Sequence, residues 1–472
     1  MKTLIGLEIH VELKTERKMF CDCKNTFGDQ VNVNVCPVCL GLPGALPVIN
    51  KQAIYLAAKT GFALKGKVSN YIKMDRKNYF YPDLTKGYQI TQDDIPIIQE
   101  GYVEIDVDGE KKKIGLIRIH IEEDTGKATH TEDGYTMLDY NRAGVPLIEI
   151  VTKPDLSSGK EARKFLEKLR EILTELGVSD CKMEEGSMRC DLNINVVDGD
   201  KKTKITEVKN IGSTRGVELA ANYEEKRHSE NLKNNIETVR ETRKWDEDKN
   251  ETVIMRDKTT VLDYRFAQEG DIPPFYLEDE FLEEIKNSLP ELPDERKERL
   301  KNSYNLADED VEILGSRKEL SLYFENLVSM NNDAKLVSNW VLNEMLRRLN
   351  DEEINIEDLK FKIEDFDYLL KRISSKELNN NQAKKVFREM FEMGTKPEEI
   401  IKRDNLVQIS DDSSILEEVE KVLSENAQSV EDYKNGKDRA LGYLVGQVMK
   451  KTKGKVNPQK ANEMLKKKLD EM

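Results

Sequence analysis

Residues Ile5 to Lys14 read I-G-L-E-I-H-V-E-L-K, with Ile5, Leu7, Ile9, Val11 and Leu13 at the odd positions and Gly6, Glu8, His10, Glu12 and Lys14 at the even ones. Strict period-two alternation describes a strand with one apolar face, because side chains two apart on an extended backbone point the same way. Such a strand buries its apolar face and turns acid, imidazole and acid to the other side. It can simply wet that polar face. Recurrence argues for more. Ile117 to Asp124 reads I-R-I-H-I-E-E-D, setting Arg118, His120, Glu122 and Asp124 opposite Ile117, Ile119 and Ile121, with Glu123 at the strand end. Met188 to Val196 alternates Arg189, Asp191, Asn193 and Asn195 with Cys190, Leu192, Ile194 and Val196, and Pro146 to Val151 is apolar except for Glu149. A carboxylate inside a buried strand is costly unless it is paired or binds a metal. Glu8 and His10 are therefore expected to approach one small cation, on a sheet face where magnesium sits between carboxylates and substrate phosphates while arginines neutralise the remaining charge.

A second constellation is made of sulfur. Cys21-Asp-Cys23 is followed, twelve residues on, by Cys36-Pro-Val-Cys39. Two short turns that each present two thiolates suit tetrahedral zinc, and four sulfur ligands leave no open position. A structural zinc stapling the loop 21–39 is expected, with free buried cysteines as the alternative. Cys181 and Cys190 complete the six cysteines, and in a long cytosolic chain none is expected in a disulfide. All four histidines, His10, His120, His130 and His228, lie in the first half, so metal and nucleophile chemistry belongs there. Gly61 to Val68 nearly fits a phosphate-binding P-loop but has Val68 where a metal-binding hydroxyl is needed, after a segment that reads as helix. No G-x-S-x-G elbow and no H-E-x-x-H occurs. Asp75 to Asp83, D-R-K-N-Y-F-Y-P-D, reads either as a substrate loop or as a packed turn.

At 472 residues the chain calls for about three domains. Short strand-like runs at 4–14, 102–107, 114–122, 145–151, 189–197 and 203–210 surround a helix predicted over 159–176, with Gly177 as its C-terminal cap. This predicts an α+β domain on an antiparallel or mixed sheet over 1–290. Beyond Pro273-Pro274, Pro290 and Pro293 the pattern is helical, with Leu336, Val337, Trp340, Val341 and Leu346 as one apolar stripe. Gly394, Pro397 and the polar run Ser410 to Ser414 suggest a second boundary, giving helical domains over 291–405 and 406–472. Glu8, His10 and Glu12 interrupt any signal-peptide core, and no run approaches the ~18 apolar residues of a membrane span, so a cytoplasmic protein with no membrane partner is expected. The formal charge of -15 disfavours nucleic acid, yet Lys434 to Lys468 holds eleven Lys or Arg against Asp438 and Glu463, a local +9 that leaves -24 for the rest. Such a tail can dock a polyanion, or it can be a solvated helix surface.

The segments IGLEIHVELKT, CPVCLGLPGALPVIN, DRKNYFYPDLTKGYQIT, RIHIEEDTGK, DYNRAGVPLIEIVT and SDCKMEEGSMRCD, with the tail LVGQVMKKTKGKVNP, resemble the signature blocks of GatB, the B subunit of the tRNA-dependent amidotransferases. The resemblance runs end to end, and the length fits GatB better than the archaeal E subunit with its inserted domain. It implies a cradle domain related to glutamine synthetase and guanido kinases, then a helical domain and a YqeY-like tail that contact tRNA. It also implies the reaction: with the amidase subunit GatA and the small subunit GatC, Glu-tRNA(Gln) or Asp-tRNA(Asn) becomes Gln-tRNA(Gln) or Asn-tRNA(Asn). ATP and magnesium activate the side-chain carboxylate, and ammonia channelled from glutamine hydrolysis displaces the phosphate. Carried onto this chain, Glu8 and His10 become metal or tunnel-mouth residues, and Glu123 and Glu149 further metal carboxylates, with the alternation favouring Glu122 over Glu123. Lys77, Tyr79 and Tyr81 line the substrate and ammonia approach, and Arg189 and Asp191 serve the nucleotide. The chain departs from the family's usual pattern at Leu192 and Val197, at Lys209-Asn-Ile-Gly-Ser-Thr-Arg215, and after Asp263-Tyr-Arg. Two other readings stand beside this one: a zinc-stabilised tRNA-binding scaffold without catalysis, and a stand-alone ATP-dependent ligase for a small acid, which would have no evident use for the basic tail.

Overall fold

The alternating N-terminal segment is strand β1 (Lys2–Glu12), whose Ile5, Leu7, Ile9 and Val11 are buried while Glu8, His10 and Glu12 remain partly accessible. The computed structural model describes residues 1–131, 133–257, 264–406, 412–434, 437, 439–452, 456 and 458–471. Further strands are β2 (Lys67–Val68), β3 (Ile98–Gln99), β4 (Glu110–Glu123), β5 (Pro146–Thr152), β6 (Met188–Asp198), β7 (Thr206–Lys209), β8 (Glu241–Asp246) and β9 (Glu251–Asp257). They form one 11-stranded sheet in the order β9-β8-β7-β6-β1-β5-β4-β3-β2, with Tyr102–Val107 pairing on β4 and Lys201–Lys202 on β6. Among the described residues only the β7–β8 pair is parallel, so the sheet is mixed but dominantly antiparallel. β1 sits inside it, pairing with β5 on one side and β6 on the other.

Helices cover the apolar face. α1 (Lys51–Ala63), α2 (Gly159–Glu175) and α3 (Thr214–Lys233) contribute Ala53, Ile54, Phe165, Leu166, Leu169, Leu173, Val217 and Ala220 to a single core with the odd residues of β1. Each large aliphatic or aromatic side chain buried there contributes about 1.5–3 kcal/mol. α2 begins where the Ser158 hydroxyl accepts the Glu161 amide and ends before Gly177 at φ +66°, a left-handed residue that closes the helix as its spacing foretold. The P-loop look-alike is a packing device: a Cβ on Gly61 would stand 2.4 Å from Ile98 Cγ1, so this glycine lets α1 lie close to β3.

α3 carries a polar group into that interior. Glu224 is fully buried and pairs with Arg227 at 2.6 Å and His228 at 3.3 Å, while His228 bonds Thr206 of β7 and Thr203 just before it. Burial alone would raise the Glu224 carboxyl, but His228, Arg227 and Thr252 pull it down to about 2 from an ordinary 4.5. A depressed carboxylate contributes stability that is present above its unfolded value and disappears as pH falls through the folded one. Unfolding free energy of the wild type should therefore drop between pH ~4.5 and ~2. Glu224→Gln should be less stable at pH 7 by about 2–4 kcal/mol and show a flatter acid limb in urea titrations run across that window.

The chain divides into two compact units, Met1–Leu292 and Pro293–Met472. The second is helical throughout its described residues and has two apolar cores. One gathers Val337, Trp340, Val341, Phe366 and Phe387, with Phe366 and Phe387 ring centroids 4.9 Å apart. The expected stripe is thus largely inward, though Leu336 and Leu346 are only partly buried, and the helix is π-wound over Val341–Leu346. The other core joins Ile415, Val419, Leu444, Val448, Ala461 and Leu465 from the last helices. Of the boundary expected at Ser410 to Ser414, residues 410 and 411 lie outside the described residues, as do Asp263 and residues 453–455 of the basic tail.

Candidate functional site

Pairing register decides which polar residues meet. Reading across the sheet, Arg189 of β6, His10 of β1, Glu149 of β5 and His120 of β4 lie in one row. Two residues along β1, Glu8 stands beside Asp191 of β6, and in the next such row Gly6, Asn193 of β6 and Glu207 of β7 stand side by side. Even-numbered residues on β1 and odd-numbered ones on β5 and β6 thus share the face opposite the core. The sequence needed only alternation to set this up. Register assembles it.

Two clusters result. In the first, His10 Nε2 lies 3.5 Å from Glu122 and 3.6 Å from Glu149, and His120 Nε2 lies 3.0 Å from Glu149. His10, Glu122 and Glu149 each offer an atom within 4.8 Å of the others, as a cation's ligands must. In the second, Glu8, Asp191 and Glu207 do the same. Here Lys209 holds Asp191 and Glu207, and Asn193 donates to Glu8 at 2.9 Å. Glu8 and His10 therefore do not converge on one ion as their spacing suggests. Neighbours on one face of β1, they lean to opposite sides, Glu8 toward β6 and β7, His10 toward β5 and β4.

Electrostatics follow from this crowding. Glu8 is raised by burial first and then by Glu149, Glu207 and Asp191. Burial opposes the charged form of His120, yet Glu122 and Glu149 raise it to about 9. Burial would raise Glu149 too, but the imidazoles of His120 and His10 and the Lys77 ammonium hold it well below the usual carboxylate range. Glu12, next along that face of β1, is pushed up to about 7 by burial and by Asp124, against Arg189 and Arg142. Glu8 and Glu12 are thus acids crowded by other acids, the condition that a bound divalent ion relieves, while Glu149 already has cationic neighbours. Two carboxylate oxygens and one imidazole suit magnesium or manganese in part, with the imidazole favouring the latter.

The surrounding residues sort by contact. Arg189 pairs with Asp124 at 2.7 Å, and Arg142 joins the same carboxylate at 3.4 Å. Lys77 lies over the rings of Tyr79 and Tyr264, at 5.9 and 4.9 Å, and Tyr79 meets Tyr81 edge-on at 6.2 Å. Glu123 requires a correction. It turns away from the His10 cluster, pairs with Lys86 and accepts the Ile90 amide at 3.0 Å, because it follows Glu122 on the strand and so faces the opposite side. Glu122→Gln should weaken manganese binding on the order of tenfold and Glu123→Gln by less than about twofold, as read by calorimetric titration.

The four cysteines do come together. Cys21, Cys23, Cys36 and Cys39 place their sulfurs within 4.8 Å of one another, with Cys36 and Cys39 at 3.9 Å. Metal–sulfur bonds of about 2.3 Å in a tetrahedron give edges of about 3.8 Å, so the donor set fits zinc. The Cys39 thiol is held down to about 5, first by its bond with Cys21 and further by Lys18, while burial raises Cys23 to about 11. Sequence reading missed Glu207, Lys209, Lys86, Arg142 and Lys18. Only Glu207 and Lys209 carried a signal, the alternation of T-E-V-K over Thr206–Lys209 inside the strand-like run 203–210, whose polar residues were given no role.

Comparison with known proteins adds family evidence. Residues 3–283 match the model of the GatB/GatE catalytic domain, and residues 322–469 match the YqeY-type model of the GatB domain. The B subunit of an aspartyl/glutamyl-tRNA(Asn/Gln) amidotransferase from Finegoldia magna is 53% identical over 471 residues, covering 99% of this chain and 100% of the relative. Proteins of the same name from Clostridium botulinum and Clostridium tetani are 47% and 48% identical, covering 100% and 98% of this chain and 99% and 98% of theirs.

Proposed function

The chain belongs to the GatB/GatE family, with the B subunits of aspartyl/glutamyl-tRNA(Asn/Gln) amidotransferases as its relatives, and on that premise we propose that it activates and amidates the side-chain carboxylate of Glu-tRNA(Gln), Asp-tRNA(Asn) or both. One observation carries the reading: two acid clusters, His10–Glu122–Glu149 and Glu8–Asp191–Glu207, lie side by side on one sheet face. A carboxylate cannot be attacked by ammonia directly, because its leaving group would be oxide. When bound, ATP with magnesium supplies the phosphoryl group that turns this oxygen into a good leaving group. His10, Glu122 and Glu149 would hold the cation, with Glu8 and Asp191 available to a second one. His120, within 3.0 Å of Glu149, orients that carboxylate. Arg189 and Arg142, which pair with Asp124, would offset phosphate charge. Lys77 and the ring edges of Tyr79 and Tyr81 form a wall at which ammonia and the aminoacyl end would enter.

In this reading residues 1–290 are a cradle of the glutamine synthetase and guanido kinase kind, with zinc in the loop 21–39. Residues 291–405 and the YqeY-like tail 406–472 grip tRNA, the tail through its basic stretch Lys434–Lys468, whose +9 is offset by acids elsewhere in the tail. Ammonia comes from a partner amidase, GatA, in a heterotrimer with GatC, in the cytoplasm. No helix of the described residues is long and apolar enough to cross a membrane. The test is assembly with the amidase partner and GatC, addition of mischarged tRNA, ATP and glutamine, and measurement of ADP and amidated aminoacyl-tRNA. Stoichiometric ADP and amide support the reading. tRNA binding without ADP release would leave a scaffold instead.

A further inference from the structure

Lys18 is the largest fully buried side chain that carries a charge, and its surroundings are unusual for an ammonium. Its Nζ donates to the carbonyls of Asn34 at 2.7 Å and Tyr140 at 3.2 Å, and its remaining neighbour is Cys39 Sγ at 3.8 Å. Among the described residues no carboxylate lies within ion-pair distance of it. A buried ammonium satisfied only by carbonyls retains its hydrogen bonds but no opposite charge, which is a costly arrangement. Here the charge has an evident complement. Four thiolates around one divalent cation carry a net charge of about −2, and Lys18 is the one cation in contact with that sulfur cluster among the described residues.

We propose that Lys18 is the built-in counter-ion of the tetrathiolate centre, a positioning residue that strengthens metal binding through charge. The inference rests on the zinc reading of the four cysteines. It also gives the metal a mechanical reach. Lys18 bonds the Tyr140 carbonyl, its neighbour Met19 donates to Gly144 at 2.7 Å, and Gly144 donates to Asp124 at 2.9 Å, the residue that anchors Arg189 and Arg142. Occupying the sulfur centre therefore neutralises Lys18 and firms the turn on which the two arginines depend.

The experiment uses the purified full-length chain and two neutral variants, Lys18→Met, which keeps the volume, and Lys18→Gln, which keeps a hydrogen-bond donor for the carbonyls. Zinc affinity is measured by competition with a chromophoric chelator, and melting is followed with and without zinc. Both variants should bind zinc about 10- to 100-fold more weakly than wild type. Lys18→Met should also cross over in stability, melting at or above wild type when zinc-free, because a buried unpaired charge is gone, and below it when zinc-loaded. Zinc affinity of Lys18→Gln within about twofold of wild type would show that donation and not charge is what matters, overturning the proposal. Equal loss of stability with and without zinc, or failure of both variants to fold in excess zinc, would likewise reduce Lys18 to a structural donor. A wild type that takes up no zinc is a different result and defeats the zinc reading itself.

Discussion

Glu149→Gln is expected to cut amide formation on mischarged tRNA by about a thousandfold or more while leaving tRNA binding unchanged. Glu149 is the hub of its cluster, 3.0 Å from His120 and 3.6 Å from His10, and its carboxylate stays ionised because those imidazoles and Lys77 surround it. The amide is isosteric but neutral. It removes one ligand and one negative charge from a site whose work is to hold cation and phosphate charge together. His10→Ala should act similarly, and Glu8→Gln should impair turnover through the neighbouring cluster. The measurement is single-turnover amidation by the assembled enzyme, alongside a filter-binding isotherm for tRNA. Unchanged turnover in Glu8→Gln and His10→Ala with intact tRNA binding would sink the catalytic assignment.

The second large effect concerns sulfur. Cys36→Ser should lose most bound zinc and lower the melting temperature of the Met1–Leu292 unit by roughly 10 °C, since metal binding energy is folding energy and ~1 kcal/mol is worth about 2–4 °C in a domain of this size. The expected loss is not confined to the loop. Thr85 donates to the Cys39 carbonyl at 2.8 Å, and a Cβ on Gly41 would stand 2.7 Å from Lys86 Cγ, so the sulfur loop lies against the segment that presents Lys86 to Glu123. Metal analysis should show about one zinc per wild-type chain and little in the variant. Full metal content and full stability in Cys36→Ser would rule out the four-thiolate centre.

How much of this was legible depends on which physical signal each residue leaves. β1, β5 and β6 were readable within two residues because burial on one face writes a period of two into the sequence, and α2 because its cap, stripe and terminal Gly177 agree. The four cysteines were readable because metal geometry forces short spacings. Pairing register was not, since alternation says which way a side chain points and nothing about its partner on the next strand. That is why Glu8 and His10 were expected around one ion and stand in two clusters, and why Glu123 was carried over where Glu122 sits. Lys18 was invisible for a related reason: an isolated lysine in a charged sequence gives no sign that it is buried.

The place of β1 also sets a clock. It leaves the ribosome well ahead of its neighbours, residues 146–152 and 188–198. At about 5–20 residues per second, roughly 10–40 s pass between synthesis of β1 and of its last partner. Until residues 146–152 have been made, this apolar, alternating strand lacks both of its partners, and long-range pairing of this kind is intrinsically slow. The most chemically exacting strand of the molecule is thus one that must wait, its first partner complete only at residue 152 and its second at residue 198.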